Sequence, residues 1–88
     1  MITGKTKSGF EYTLDDNVTD DYELLELLID IDNGKYTGIT DMVQRLLGDE
    51  QKEQLKEHLR RENGRISTKE MLAEVMEIFK GSTEGKNC

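Results

Sequence analysis

The sequence has no proline, no tryptophan, a single cysteine and few aromatic residues, which make up 6% of its 88 residues. With one cysteine, Cys88, no disulfide forms within the chain, and one cysteine and one histidine are too few for a zinc site of such ligands. No uninterrupted apolar run exceeds three residues, far below the roughly 20 that a membrane-spanning helix requires. Because the first residues also lack a stretch of signal-peptide type, we expect a cytoplasmic protein that does not enter a membrane.

Basic residues are also scarce relative to acidic ones. Twelve Lys and Arg oppose 19 Asp and Glu, and the formal net charge is -7. Residues 11–34 contain nine acidic residues and no basic one, whereas the rest of the chain is nearly balanced. Nonspecific binding to nucleic acids or anionic membranes is carried by clustered Lys and Arg, so both are disfavoured here. The acidic segment is interpreted as a solvated face or, alternatively, as a docking face for a basic partner.

Alternating side chains near the N-terminus predict a β-hairpin. Phe10, Tyr12 and Leu14 alternate with polar residues, as expected for a strand with one buried face. Helical periodicity follows, so we predict an α+β fold that is mainly α, with an N-terminal β-hairpin and about four helices. The predicted single domain covers residues 1–80, with the hairpin at 2–14, helices at about 20–32, 40–47, 50–62 and 68–80, and a flexible tail at 81–88.

The first predicted helix has an unusually wide apolar surface. At 100° per residue its leucines and isoleucines cover about 200° of the circumference, more than the roughly 100° to 150° that a hairpin and one neighbouring helix cover. This helix is therefore either central or leaves apolar surface for another chain. Thr19 or Asp20 is its predicted N-cap, and Asn33-Gly34 its predicted end.

The last predicted helix begins with a capping-box pattern, in which Ser67 is the N-cap and Glu70 follows three residues later. Glu70, Glu74 and Glu77 are predicted on its solvent side, opposite the apolar residues. We select four apolar residues of the first and last helices as candidate partner-binding residues, namely Leu28, Met71, Val75 and Ile78. Because apolar residues at helical spacing are more often in the core, substitution to Asp is the test that separates interface from core.

The sequence offers no recognisable catalytic or metal-binding pattern. His58 is interpreted as an exposed helical residue with no cysteine beside it and no acid placed to act as a relay. The run Asp30-x-Asp32-x-Gly34 lacks the spacing of an EF-hand loop. We therefore predict a protein that is not an enzyme, with no catalytic residues, no metal and no cofactor.

The order of the elements carries more information than any one motif. A strand with the pattern Gly-Phe-x-Tyr-x-Leu precedes the Leu-rich helix of residues 22–28, and Leu46-Leu47-Gly48 precedes a charged helix. Asn63-Gly64-Arg65-Ile66-Ser67 then opens the last helix, and the chain ends with Gly85-Lys86-Asn87-Cys88. In this order the features resemble the small tail assembly chaperones of long-tailed, noncontractile bacteriophages and prophages.

The resemblance implies a non-enzymatic protein of the host cytoplasm that binds the tape-measure protein, keeps it soluble and helps to recruit tail tube protein. It also implies self-association. From the residues alone an alternative stays open, namely an acidic protein-interaction or DNA-mimic module that binds a basic partner.

Overall fold

The computed structural model describes the backbone of residues 1–84 and the side chains of residues 1–81. The hairpin predicted over residues 2–14 is confirmed: strands β1 (Ile2–Lys5) and β2 (Glu11–Leu14) pair antiparallel in a two-stranded sheet. Gly4 lies opposite Tyr12, and a Cβ atom at Gly4 would overlap the Tyr12 hydroxyl group. The absence of a side chain at Gly4 therefore lets the Tyr12 ring lie across β1.

Three helices follow the hairpin, namely α1 (Tyr22–Asp32), α2 (Ile39–Leu59) and α3 (Thr68–Glu84). The prediction of about four helices was wrong by one, because the segment predicted at 40–47 and residues 50–59 of the segment predicted at 50–62 both belong to α2. Residues 60–62 lie beyond its end. The backbone of α2 leaves the helical conformation at Gly48, with φ 81° and ψ 170°. These angles break α2 sharply at Gly48. Glycine occupies the position because only glycine adopts this conformation without strain.

The helix ends follow from local hydrogen bonds. Asp21 is the N-cap of α1, because its Oδ1 accepts the Leu24 backbone N–H at 3.1 Å. The predicted caps, Thr19 and Asp20, instead lie in a short 3-10 turn that buries Val18. At α3 the prediction is confirmed, since the Ser67 hydroxyl accepts the Glu70 backbone N–H at 3.2 Å.

The third helix continues to Glu84, four residues beyond its predicted end at residue 80. A Cβ atom at Gly81 would lie 3.1 Å from the Tyr12 hydroxyl oxygen, so this end of α3 packs closely against the hairpin. The helix therefore continues through Gly81, although glycine favours a helix end. The predicted tail at 81–88 is thus helical as far as residue 84, and residues 85–88 lie outside the described part of the chain.

Apolar side chains from the hairpin and from all three helices form one core. Its most completely buried members are Leu14, Leu24, Met42, Leu55, Val75 and Ile78. Among the described residues, no helix combines the length and the apolar character that a bilayer span requires.

The outer edge of β2 is closed by a side chain rather than by a third strand. The Gln51 amide nitrogen donates to the Thr13 carbonyl oxygen at 2.6 Å, and the Thr13 backbone N–H donates to Gln51 Oε1 at 2.7 Å. The same Gln51 nitrogen donates to the Leu47 carbonyl oxygen at 2.9 Å, just before the break at Gly48. Gln51 therefore joins the second half of α2 to the sheet.

Candidate protein-binding surface

The structure places three of the four predicted partner-binding residues in the core. Leu28, Val75 and Ile78 are buried by the chain itself. Their burial removes them from any surface that a partner contacts while this fold is intact. Met71 is half-buried and lines a surface groove at the start of α3.

An exposed apolar surface does exist on α1, on residues that the sequence-based choice did not include. Tyr22, Leu25 and Ile29 are 73%, 47% and 49% exposed. Their spacing of three and then four residues puts them on one side of the helix. We call these three residues the α1 stripe.

The α1 stripe is the part of the wide apolar arc that the core leaves uncovered. Leu24, Leu28 and Ile31 point into the core, and Leu27 is half-buried against it. The second helix, α2, packs against α1, whereas Tyr22, Leu25 and Ile29 lie outside this buried sector and remain exposed. Of the two alternatives for the first helix, a central position or uncovered apolar surface, the exposure of the α1 stripe favours the second.

Carboxylates border the α1 stripe on both sides. Helical geometry places Glu26 and Asp30 along one border and Asp32 along the other, and all three are exposed. An apolar strip framed by charge differs from the scattered apolar side chains of an ordinary protein surface. It can contact an apolar face of another chain while the surrounding acids stay in water.

The N-terminal end of α1 is fixed to α2 by an arginine. Arg45 contacts Asp21 Oδ2 at 3.3 Å and Glu23 Oε1 at 3.2 Å. The Leu24 backbone N–H, together with Arg45, lowers the pKa of Asp21 below the ordinary aspartate value. These contacts hold α1, and with it the stripe, in a defined position on the fold.

A second surface feature is a groove of about 230 Å³ between the two halves of α2 and the start of α3. Its wall combines apolar side chains with two lysines. We call it the lysine groove, and its lining residues are Ile39, Thr40, Val43, Lys52, Lys56, Ile66, Thr68 and Met71.

The loop between the strands is held by a polar cluster that the sequence analysis missed. Glu74, predicted on the solvent side of the last helix, is only 6% exposed, and that prediction was wrong. Its Oε1 accepts hydrogen bonds from the hydroxyls of Thr6 at 2.8 Å and Ser8 at 2.9 Å. His58 Nε2 lies 3.0 Å from the Ser8 oxygen, and Glu77 accepts the Lys7 backbone N–H at 2.8 Å.

A signal for the burial of Glu74 was present in the sequence. Glu74 follows Met71 by three residues and precedes Ile78 by four, so it lies on the same side of α3 as these apolar residues. Both loop hydroxyls donate to the same oxygen, Oε1, and among the described residues no buried side-chain nitrogen or oxygen lacks a hydrogen-bond partner.

The cluster of Ser8, His58 and Glu74 does not have the geometry of a catalytic triad. In a triad the histidine takes the serine proton, and the acid binds the other side of the imidazole. Here the Ser8 hydroxyl donates its single proton to Glu74. Within the described residues no group of three or more His, Cys, Asp and Glu side chains is arranged to hold a metal ion. The hydrogen bonds of the cluster therefore connect the loop to α2 and to α3.

Comparison with known proteins identifies no family for this chain. No protein-family model matches it, and no significant match was found among curated proteins or among solved structures.

Proposed function

We propose that the protein is a non-enzymatic tail assembly chaperone of a long-tailed, noncontractile bacteriophage or prophage. In this role it binds the tape-measure protein in the host cytoplasm, keeps it soluble and assists assembly of the tail tube protein around it. The proposal rests on the resemblance in element order and on one structural observation, the α1 stripe.

The α1 stripe suits the holding of a long helical client. Tyr22, Leu25 and Ile29 offer an apolar strip about two turns long, which matches the apolar face of an amphipathic helix. Covering the client's apolar face suppresses its aggregation. The acids of residues 11–34 then give the complex a net negative charge that keeps it dispersed.

The DNA-mimic alternative finds less support in the same surface. A mimic of DNA needs a continuous array of free carboxylates in place of phosphates. Asp21 and Glu23 are both paired with Arg45, and Asp16 is paired with the N-terminal amino group at 2.7 Å. The α1 stripe further interrupts the acidic surface.

Coexpression with the tape-measure protein encoded in the same genome tests the proposal. We expect the chain to raise the soluble yield of the client and to copurify with it. The double variant Leu25→Asp/Ile29→Asp is expected to lose most of both effects, because it adds charge to the strip that contacts the client.

A matched control adds the same two negative charges elsewhere, at the exposed positions Gln54→Asp and Ala73→Asp. This control is expected to behave like the unmodified protein. If the unmodified chain neither raises the soluble yield of the client nor copurifies with it, the proposed function is wrong. If the stripe variant is as active as the control, the function does not use the α1 stripe.

A further inference from the structure

The lysine groove carries positive charge on a protein whose net charge is -7. Lys52 and Lys56 are four residues apart, so their side chains project from the same side of α2. Within residues 1–81 Lys52 has no ion pair, and Lys56 has one with Glu53 at 3.3 Å. Such an exposed pair contributes little and leaves the lysine available for a stronger partner.

The groove exists because α2 is broken. Ile39 and Lys52 are thirteen residues apart and would be separated by roughly 20 Å along a straight helix. The turn at Gly48 folds the two halves of α2 so that both line one groove, together with Ile66 and Met71. An apolar floor with a lysine pair at its rim is complementary to an apolar helix face with a carboxylate pair at its border.

The α1 stripe has that complementary pattern. Glu26 and Asp30 are four residues apart, like the two lysines, and they border Leu25 and Ile29. Neither carboxylate has an ion pair within the described residues. One chain therefore carries two surfaces of complementary charge, and the two surfaces share no residue.

We propose that the α1 stripe of one copy docks in the lysine groove of a second copy, with Glu26 and Asp30 facing Lys52 and Lys56. Because the two surfaces differ, each docked copy still presents a free stripe and a free groove, and the contact can repeat in a chain or a ring. The stripe is also the surface assigned to the client under the proposed function. Client binding and self-docking therefore compete for it, and this consequence alone rests on that function.

Charge reversal in the full chain tests the docking. Sedimentation velocity over a concentration series is expected to show association of the unmodified protein. The variants Lys52→Glu/Lys56→Glu and Glu26→Lys/Asp30→Lys are each expected to associate at least roughly tenfold more weakly, because like charges then face each other. An equimolar mixture of the two variants is expected to recover association, since each contact between one variant and the other again joins opposite charges.

A control variant, Lys5→Glu/Lys35→Glu, changes the net charge as Lys52→Glu/Lys56→Glu does, but at exposed positions outside the groove, and is expected to associate like the unmodified protein. Circular dichroism verifies that each variant is folded. The docking is overturned if the unmodified chain is monomeric up to about 1 mM, if the control weakens association equally, or if the mixture stays monomeric.

Client recovery separates this inference from the proposed function. Lys52→Glu/Lys56→Glu frees the α1 stripe, so we expect it to copurify at least as much tape-measure protein as the unmodified chain does. Reduced recovery by this variant would contradict the competition. Failure of the unmodified chain to recover the client refutes the proposed function and leaves the sedimentation result to decide the docking.

Discussion

The strand-connecting loop and α1 depart in opposite directions from the usual division between polar surface and apolar core. Thr6 in the loop and its hydrogen-bond partner Glu74 on α3 are polar and buried. On α1, Leu25 and Ile29 are apolar and half exposed. The loop has hydrogen-bond partners for its buried groups, whereas the described chain leaves the α1 side chains uncovered.

This difference separates a structural role from a binding role. Burial of a carboxylate is tolerated only where donors replace the lost water, so the cluster around Glu74 is complete within one chain. Exposure of a leucine costs stability that the fold does not recover by itself, and a second molecule can recover it by covering the side chain. The buried polar groups of the cluster therefore need no second molecule, whereas a second molecule can cover the exposed apolar side chains of α1.

The largest expected effect comes from comparing the two faces of α1. Leu28→Asp puts a carboxylate in the core and is expected to lower the free energy of unfolding by about 4 kcal/mol or more. Leu25→Asp puts the same group on the exposed face and is expected to change it by no more than about 0.5 kcal/mol. Urea denaturation followed by circular dichroism measures both. Equal losses would mean that α1 has no free face.

An intermediate effect is expected in the loop cluster. Glu74→Ala removes the acceptor for the Thr6 and Ser8 hydroxyls and is expected to cost about 2 kcal/mol of unfolding free energy. The matched control is Glu70→Ala, because Glu70 is exposed and its contact with Arg61 is 3.4 Å long. The control is expected to cost no more than about 0.5 kcal/mol in the same urea titration. A loss at Glu74 as small as at Glu70 would show that the buried carboxylate does not fasten the loop.

The smallest effect is a pH dependence at the start of α1. Folding lowers the pKa of Asp21, so its carboxylate stabilises the fold above the ordinary aspartate pKa, and this contribution is lost as the pH falls through the lowered value. Asp21→Asn keeps an oxygen for the cap but does not titrate. The stability difference between the two proteins should therefore shrink between about pH 5 and pH 3. A constant difference over that range would rule out this role of the Asp21 charge.

Most features fixed by neighbouring residues were predicted from the sequence, although the N-cap of α1 is Asp21 rather than Thr19 or Asp20. The alternation of Phe10, Tyr12 and Leu14 predicted the hairpin, and Ser67 was recognised as the cap of the last helix. Each depends on a few adjacent residues, so no knowledge of the tertiary arrangement was needed.

Features fixed by packing between distant elements were not predicted. The choice of Leu28 as a partner-binding residue failed to distinguish it from Leu25, because both belong to one apolar arc and only the position of the arc relative to α2 decides which is covered. Likewise, Glu74 is buried because Thr6 and Ser8, more than 60 residues away, supply its donors. The lysine groove depends on the turn at Gly48. The sequence indicated that a helix ends at this glycine, but not that the two halves of α2 would line one groove.

The side chain of Gln51 has a consequence for how this small sheet meets other molecules. A two-stranded sheet has two edges, and an exposed edge is a template on which strands of other chains add and aggregate. By forming both hydrogen bonds that an incoming strand would form with Thr13, Gln51 occupies the template at that residue. One amide group thus limits growth of the sheet on the β2 side, so that contacts with other chains are directed to helical surfaces rather than to strand addition at that edge.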